Sequence, residues 1–256
     1  QFLASNAELK SADNAALPAV DVPEHVARAK AWQHKKYAAG FAAITWPQAF
    51  GGRALPPIFQ VIYKHEEEQY LVPGGVFEIG LGMCIPTFMK HGAAELAMPY
   101  VKRAITGEEI WCQLFSEPAS GSDVAGLRTR AVRDGDEWVI NGQKIWTSGA
   151  HFSDYGVIVT RSDPDVPKHM GLTYFFVDMR ARGVEVRPIH QVSGESNFNE
   201  VYFTDVRIPD AQRLGEVGQG WQVSLTTLMN ERLAVGGPRP PDFDDIFRLV
   251  RTLELE

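Results

Sequence analysis

The change in the spacing of apolar residues along the chain constrains its fold more than any other feature. Up to residue 110, apolar residues recur every three or four positions, which is the period of a helix face. Over 111–215 they recur at every second position, as on one face of a strand. From Gly218 the helical period returns. We therefore predict an α+β fold with an N-terminal α-helical domain over 1–110, a middle β domain over 111–215 and the start of a C-terminal α-helical bundle over 216–256.

Proline and glycine residues predict where the helices of the first part begin and end. The segment 23–40 starts with proline and finishes with glycine, which are typical first and terminating residues of a helix. The segment 55–70 has a similar pattern, with its apolar residues on one face. Pro99 interrupts the segment that ends at Gly107, so we expect two short helices to meet at Pro99.

Turn residues divide the middle part into short strands. Asn141-Gly142 is the strongest local signal for a two-residue hairpin turn, and it predicts a hairpin between "DEWVING" and "QKIWTSG". Asp134-Gly135 predicts a second hairpin turn just before it. Further strands are predicted in "YGVIVT", "LTYFFVD", "GVEVRP" and "NEVYFTDVRIP". Six or seven strands with no helices between them favour an antiparallel barrel or sandwich.

Composition excludes several classes of protein. The net charge is −7 and no basic stripe is present, so we expect no nucleic-acid partner. The sequence contains neither an apolar run of about 18 residues, which a membrane span needs, nor a visible signal peptide. Cys84 and Cys112 and the scattered histidines lack metal-ligand spacing, so no metal site is expected. These features favour a cytoplasmic protein with reduced cysteines.

Two stretches of small and polar residues in the middle part could carry chemistry. In "SEPASGSDVAG", which starts at Ser116, the backbone N–H groups near Gly121 and Ser122 could bind a phosphate, or the stretch could be a plain turn. In "QKIWTSG", Trp146 is either a core residue or an aromatic wall for a planar cofactor, with the hydroxyl group of Ser148 at its edge.

A third stretch, "LMNERL", combines a carboxylate and a guanidinium on a predicted helix. At 100° per residue, Trp221, Leu225, Leu228 and Arg232 share one stripe, and Glu231 lies at its edge. A guanidinium on an apolar face needs an anionic partner or a route to solvent. Arg232 therefore either reaches solvent or a surface carboxylate, or it faces a ligand together with Glu231 as a base.

Together these motifs resemble those of the acyl-CoA dehydrogenases, flavoproteins that introduce a 2,3 double bond into acyl-CoA thioesters. The resemblance implies FAD as the cofactor, acyl-CoA as the substrate and an electron-transfer flavoprotein as the electron acceptor. It also implies a homo- or hetero-oligomer, either a dimer or a tetramer, and a C-terminal bundle that is incomplete at residue 256. The motifs that carry it follow in order nearly from end to end: "LFSEPASGSDVAGLRTRA", "WVINGQKIWTSGA", "VYFTDVRIP", "LGEVGQGW" and "NERL".

The resemblance also implies roles for single residues. Ser116 would donate to the N1/O2 side of the flavin, Trp146 would pack on the ring and Ser148 would lie near N5. Ser122 and Arg232 would contact the acyl-CoA. Glu231 would be the base that removes the α-proton, unless that base is a glutamate beyond residue 256. The other residues expected against the cofactor are Leu114, Phe115, Gly121, Ser122 and Thr147, and Ala119 stands where the family motif often has glycine.

Two alternatives on the same fold remain open. The chain could be a non-catalytic partner subunit of a heteromeric acyl-CoA dehydrogenase, or it could belong to an acyl-CoA oxidase or flavin monooxygenase. The sequence does not specify the acyl group. Four apolar residues are expected either to line the acyl pocket or to belong to the core: Met83, Cys84, Ile85 and Phe88.

Overall fold

The structure is a computed structural model that describes residues 1–11, 22–234 and 243–252. The helices within these ranges are α1 (Phe2–Asn6), α2 (Val22–Ala38), α3 (Pro57–Glu67), α4 (Ile85–His91), α5 (Ala94–Thr106), α6 (Gly220–Ala234) and α7 (Phe243–Thr252). A wider helical turn of the π type, Gly80–Cys84, leads directly into α4. None of the described helices has the combination of length and hydropathy needed to cross a bilayer.

Two strands pair in the helical part, β1 (Glu8–Leu9) and β2 (Tyr70–Leu71). The remaining strands form a second sheet: β3 (Trp111–Leu114), β4 (Arg130–Asp134), β5 (Glu137–Ser148), β6 (Tyr155–Arg161), β7 (Leu172–Asp178), β8 (Val184–Ile189), β9 (Phe198–Pro209) and β10 (Arg213–Leu214). These bounds confirm the predicted change from helices to strands near residue 111. They also confirm the helices expected at 23–40 and 55–70. Residues 235–242 lie outside the described residues.

The helix that contains Pro99 is continuous, so the prediction of two short helices was wrong. Pro99 is the sixth residue of α5, and the helix continues for another seven residues to Thr106. A proline cannot donate a hydrogen bond to the carbonyl group four residues earlier, which belongs to Glu95. Both residues are exposed, so water can satisfy that carbonyl group and the helix need not break.

The eight-stranded sheet is open and mixed, so the expected antiparallel barrel or sandwich is corrected in two respects: the sheet does not close into a barrel and its pairing is not purely antiparallel. Its strand order is β10-β7-β6-β4-β5-β9-β8, with β3 also paired to β6. β3 runs parallel to β6, and β4 meets β6 at one parallel residue pair, Arg130 and Arg161. Trp138 of β5 and Phe175 of β7 come from strands that are not neighbours, yet their ring centroids are 5.3 Å apart. The two halves of the sheet therefore fold over one another around a shared core.

The Asn141-Gly142 pair lies inside strand β5 and does not form the predicted hairpin turn. The opposing strand β9 carries one extra residue at this point, where Asp205 has a φ of +50°. The side-chain amide of Asn141 donates through Nδ2 to the Asp205 carboxylate and accepts the backbone N–H of Asp205 at Oδ1. A Cβ atom at Gly142 would lie 2.5 Å from the Thr129 hydroxyl oxygen. Here the Asn-Gly sequence serves a β-bulge and a close approach between strands. The predicted turn at Asp134-Gly135 does join β4 to β5.

Strands β6 and β7 separate two apolar clusters. Ile158, Phe175 and Val177 point into the cluster between the two halves of the sheet. Their neighbours along the same strands, such as Val159 and Phe176, belong to a cluster that includes helical residues. Phe88 of α4 lies in this second cluster, with its ring centroid 4.8 Å from that of Phe176. Because both faces of β6 and β7 are covered, these strands have continuous apolar sequences.

Candidate functional site

The two small-residue stretches of the middle part lie side by side in the structure. The backbone N–H of Ile145 in β5 donates to the carbonyl oxygen of Ser116 at 2.9 Å. Residues Glu117 and Ser120 then form a tight turn through two backbone hydrogen bonds of 2.7 and 3.0 Å. The chain beyond this turn is exposed at Gly121, and a Cβ atom there would have no heavy atom within 4 Å. An open loop therefore borders the end of β5.

A buried ion pair joins this loop to β5. The Nζ atom of Lys144 donates to Glu117 Oε1 at 2.9 Å and to the carbonyl oxygen of Phe115 at 3.0 Å. The backbone N–H groups of Arg128 and Thr129 also donate to the Glu117 carboxylate, at 2.6 and 2.9 Å. Burial lowers the pKa of Lys144 to about 8. Although burial opposes it, the ammonium group and the backbone donors hold the pKa of Glu117 below its usual value.

Trp146 is displayed at the surface by an unusual backbone conformation. Its φ is +60°, a region that non-glycine residues rarely occupy, and its side chain is 56% exposed. The pairing of β5 with β9 shifts by one residue between Lys144 and Thr147, which indicates a β-bulge at this position. The Trp146 ring touches Phe198 edge to face, with centroids 6.0 Å apart. This bulge leaves a broad aromatic face available beside the open loop.

Several polar atoms around this surface suit a planar heterocyclic cofactor. The side-chain oxygens of Gln113 and Thr147 are buried without a hydrogen-bond partner among the described residues. The hydroxyl groups of Ser116 and Ser148 form no hydrogen bond to another described residue. The oxygens of Gln113 and Thr147 are inaccessible, so the half-buried Ser116 and Ser148 supply the polar atoms that an external partner can reach. A hydroxyl group can donate to the acceptors of a flavin ring and accept from its N–H donor, so these two residues fit FAD.

Some of the residues expected against the cofactor are buried. Thr147 is 1% exposed, whereas its neighbour Trp146 is exposed and its neighbour Ser148 is half-buried. Leu114 and Phe115 are also buried, with Leu114 inside the core between the two halves of the sheet. Leu114 can therefore support the surface but does not lie on it.

Helix α6 carries Glu231 and Arg232 and presents only part of the predicted apolar stripe to the core, through Trp221 and Leu228. Leu225, a member of that stripe, is 42% exposed, and Arg232 is also exposed. The buried face lies about a third of a turn away, at 100° per residue, and includes Ser224 and Thr227. Glu231 is half-buried and follows Thr227 by four residues, so it lies on the buried face. The polar contacts of this face, described next, explain the rotation.

Thr227 links α6 to β7 and α4. Its hydroxyl group lies 2.8 Å from the Tyr174 hydroxyl group and 3.0 Å from that of Thr87. Because Thr87 donates its own proton to the carbonyl oxygen of Met83, Thr227 donates to Thr87 and Tyr174 donates to Thr227. The Tyr174 ring packs edge to face on Phe115 at 5.8 Å. These contacts connect the helix that carries Glu231 with the residue next to Ser116, whereas no described hydrogen bond joins Glu231 to the loop itself.

A cavity of about 320 Å³ lies between α2, α3, the π turn and α6. Asn230, the residue before Glu231, is part of its lining, as are Leu81 and Pro86 from the opposite side. The residues that were expected either to line an acyl pocket or to pack in the core are all at most 7% exposed: Met83, Cys84, Ile85 and Phe88. They belong to the core, and the lining comes from the alternate faces of the same segment.

The cysteines and histidines form no second site. Burial raises the pKa of the Cys112 thiol to about 12 and that of Cys84 well above its usual value, so both thiols stay protonated. Cys84 donates to the carbonyl oxygen of Cys112 at 3.4 Å. Within the described ranges, no group of three or more His, Cys, Asp or Glu side chains could hold a metal ion.

Lys144, Glu117 and Gln113 were not predicted from the sequence. The burial of Lys144 can be inferred from its spacing, because it lies an even number of residues from Trp138 and Ile140, which face inward on the same strand. A lysine at an inward position requires an anionic partner. The sequence does not show which carboxylate fulfils this requirement, because Glu117 lies 27 residues earlier.

The chain is similar to known proteins over most of its length. The family described as "Acyl-CoA dehydrogenase, middle domain" matches residues 112–206. The chain is 41% identical to acyl-CoA dehydrogenase FadE34 of Mycobacterium tuberculosis over 219 residues, which cover 85% of this chain and 30% of that protein. It is 37% identical to acyl-CoA dehydrogenase IpdE1 of Mycolicibacterium smegmatis over 246 residues, which cover 91% of this chain and 62% of that protein.

Solved structures give the same result. A structure described as "Tcur3481-Tcur3483 steroid ACAD" superposes with a TM-score of 0.76 at 32% identity, covering 88% of this chain and 58% of that chain. The chain thus spans between 30% and 62% of the length of the relatives compared here. Members of the matched family are FAD-dependent flavoproteins. From the match over the middle strands and the identity along most of its length, the chain belongs to the acyl-CoA dehydrogenase family.

Proposed function

We propose that this chain binds FAD and takes part in the α,β-dehydrogenation of an acyl-CoA thioester. The observation that carries the proposal is the surface formed by the exposed Trp146 ring, the open loop at Gly121 and the half-buried hydroxyl groups of Ser116 and Ser148, which form no hydrogen bond to another described residue. A wide aromatic face beside unpartnered polar atoms is suited to a flat, polar-edged ring. Because the chain belongs to the acyl-CoA dehydrogenase family, we propose that this ring is the flavin of FAD.

In this proposal the residues of the surface bind and orient the two reactants. The hydroxyl group of Ser116 donates to the edge of the ring that gains negative charge, and Trp146 fixes the plane of the ring. Ser148 lies at the same edge of the sheet as Trp146, and Ser122 contacts the thioester substrate from the exposed loop. When bound, FAD supplies the two-electron acceptor for the hydride that leaves the β-carbon of the substrate.

Glu231 is the proposed base. Its carboxylate takes the proton from the α-carbon of the thioester as the hydride leaves the β-carbon, and the electron pair of the α C–H bond forms the new double bond. The half-buried position of Glu231, next in sequence to the cavity-lining Asn230, supports this role. Arg232 is exposed, and we propose that it binds an anionic part of the acyl-CoA. A glutamate outside this chain is the alternative base.

Names of the relatives favour an acyl group with a carbocyclic part. One similar structure is described as a steroid acyl-CoA dehydrogenase, and a cyclohexane-1-carbonyl-CoA dehydrogenase of Geobacter metallireducens is 34% identical over 57% of this chain. We propose such a substrate here, with an electron-transfer flavoprotein as the electron acceptor. The cavity of about 320 Å³ beside Asn230 is the proposed site of the acyl group.

A partner subunit without catalytic activity is the second candidate. One similar structure is described as the ChsE4-ChsE5 complex from Mycobacterium tuberculosis, at 32% identity and a TM-score of 0.69. A chain of this family can therefore occur in an assembly of two different chains. In that case the polar surface around Trp146 would not suffice to hold FAD without the other subunit.

Anaerobic reduction of the bound flavin tests the proposed base. We expect the protein that contains this chain to purify with a flavin spectrum and to lose its colour on mixing with straight-chain or carbocyclic acyl-CoA thioesters. The Glu231→Gln variant should keep the flavin, but the acyl-CoA should reduce this flavin at least about 100-fold more slowly, because the α-proton then has no acceptor. Stopped-flow absorbance gives the reduction rates.

The exposed Glu68 provides a matched control, and Glu68→Gln should behave as the unmodified protein does. Full bleaching of the Glu231→Gln variant at the normal rate would assign the base to a residue outside this chain. Colourless protein that acquires flavin only with a second subunit would favour the partner role. Rapid oxygen consumption after reduction would favour an oxidase or a monooxygenase.

A further inference from the structure

The pair of Glu117 and Lys144 is buried to an unusual degree for two charged side chains. Lys144 is 0% exposed and Glu117 is 7% exposed. In each of the other ion pairs between described residues, at least one side chain is more accessible. Moving both charges out of water costs free energy that an apolar pair of similar volume would not require. The pair therefore calls for an explanation other than stability.

The contacts of Lys144 attach three consecutive residues to β5. Its ammonium group binds the carbonyl oxygen of Phe115 and the carboxylate of Glu117. Between them, the carbonyl oxygen of Ser116 accepts the N–H of Ile145. The residue that would donate to the cofactor is therefore held on both sides by groups from the same strand.

The contacts of Glu117 close the loop at its other end. Its carboxylate accepts the N–H groups of Arg128 and Thr129, which follow the loop. Residues 118–127 therefore start and finish at one carboxylate, and that carboxylate is neutralised by a lysine of β5. Gly121 and Ser122 lie in this closed segment, whereas Trp146 and Ser148 lie on the strand that supplies the lysine.

We propose that Glu117 and Lys144 are positioning residues that hold the loop against β5, so that Ser116 and the Trp146–Ser148 segment form one cofactor-binding surface. Neither side chain needs to contact the cofactor itself. A charged pair serves this purpose better than an apolar pair, because hydrogen bonds fix direction and register. The inference rests on the proposed function, since it assigns a purpose to an arrangement around the proposed FAD site.

Loop exchange and FAD affinity together test this role. In Lys144→Met and Glu117→Gln, amide hydrogen exchange over 118–127 should accelerate at least tenfold, while exchange in β6 and β7 stays slow. The dissociation constant of FAD, from titration of the apoprotein, should rise at least tenfold. The two single variants are independent tests. If one of them fails to fold, the other still tests the proposal.

The ion pair of Lys168 and Asp123 is a matched control, because it touches the same loop but both its side chains are more than half exposed. Lys168→Met and Asp123→Asn should change FAD affinity less than twofold. The double variant Lys144→Met/Glu117→Gln removes both buried charges and should regain much of the melting temperature. Its loop exchange should nevertheless stay fast and its FAD affinity weak, since stability alone does not align the loop.

Unchanged loop exchange in both single variants would overturn the proposal, as would recovery of full FAD affinity in the double variant. Loop exchange is measured without the cofactor, so it tests the loop attachment independently of the proposed function. If the unmodified protein binds no FAD while the single variants accelerate loop exchange, the proposed function fails and the attachment of the loop stands.

Discussion

The carboxylate of Glu117 accepts hydrogen bonds from Lys144 and from two backbone N–H groups, and each of these donors favours its ionised form. They hold the pKa of Glu117 below its usual value of about 4.5. Below that pH, the unfolded chain binds a proton at this carboxyl group while the folded protein does not. The folded state therefore binds fewer protons, and the free energy of unfolding must fall as the pH decreases.

We expect Glu117→Gln to lose this part of the acid sensitivity. The variant should be less stable at pH 7, by about 3 kcal/mol, because it leaves the Lys144 ammonium group buried without its partner. As the pH decreases below about 4.5, its free energy of unfolding should fall less steeply than that of the unmodified protein. Urea unfolding at a series of pH values measures both quantities, with the exposed Glu68→Gln as control. Equal slopes for the two proteins would show that Glu117 does not stay ionised in the folded state.

Single residues also show how far the sequence predicts the site. The burial of Lys144 was not predicted, although its position in phase with the inward residues of β5 indicates it. The resemblance to a family directed attention to Ser116, Trp146 and Ser148. The φ of +60° at Trp146 was not predictable, because it depends on how β5 pairs with β9, more than 50 residues later. The unpartnered oxygen of Gln113 likewise emerges only when its surroundings are known.

At the level of elements, hydroxyl groups orient helix α6. Tyr174 of β7, Thr227 of α6 and Thr87 of α4 form a continuous buried chain that ends at the carbonyl oxygen of Met83. The Thr226 hydroxyl oxygen lies 2.8 Å from the Nε2 atom of His91 in α4, so a second polar contact joins α6 to α4. Polar groups in an apolar environment must be aligned to be satisfied, and this requirement fixes the rotation of the helix.

We expect Thr227→Val to destabilise the protein by about 1–3 kcal/mol, because it leaves the hydroxyl groups of Tyr174 and Thr87 with one partner fewer. Thr227→Ser retains the hydroxyl group and removes one methyl group, so its cost should be closer to about 1 kcal/mol. Denaturant unfolding of the two variants gives the comparison. A Val variant as stable as the Ser variant would indicate that apolar packing alone orients α6.

Local sequence signals for the elements failed where distant contacts determined the outcome. The Asn-Gly pair of β5 accommodates a bulge in β9, which a local pattern cannot distinguish from a turn. Pro99 is tolerated because the carbonyl group it would have served faces solvent. The apolar face of α3, with Ile58, Val61 and Ile62, is more than half exposed in the structure. Amphipathic spacing predicted this helix correctly but did not predict which face is buried.

At the scale of the whole molecule, the helices and the sheet share apolar contacts through β6 and β7. The order of helical, β and helical parts followed from residue spacing alone. The mixed sheet did not, because the parallel pairing of β3 with β6 joins segments that are more than 40 residues apart. The division into separate domains stays a prediction.

We expect the described helices and sheet to unfold in one transition, because adjacent residues of β6 stabilise different clusters. Ile158 faces the core of the sheet and Val159 faces the helices. Ile158→Ala and Val159→Ala should each lower the melting temperature of a single transition, with a cost of about 2–4 kcal/mol for the isoleucine. Calorimetry, together with far-UV circular dichroism and tryptophan fluorescence, tests this. Two separate transitions, each sensitive to one variant, would contradict it.

Strands β6 and β7 are covered on both faces, which limits where a stable fragment can be cut from the chain. The match to the middle-domain family covers residues 112–206, which include β6 and β7 but none of the helices packed on their outer face. A fragment cut at those limits would expose Val157, Val159, Tyr174 and Phe176 to water, and such an apolar patch promotes aggregation. The segment that matches the family is therefore smaller than the part of the chain that is needed to bury both faces of β6 and β7.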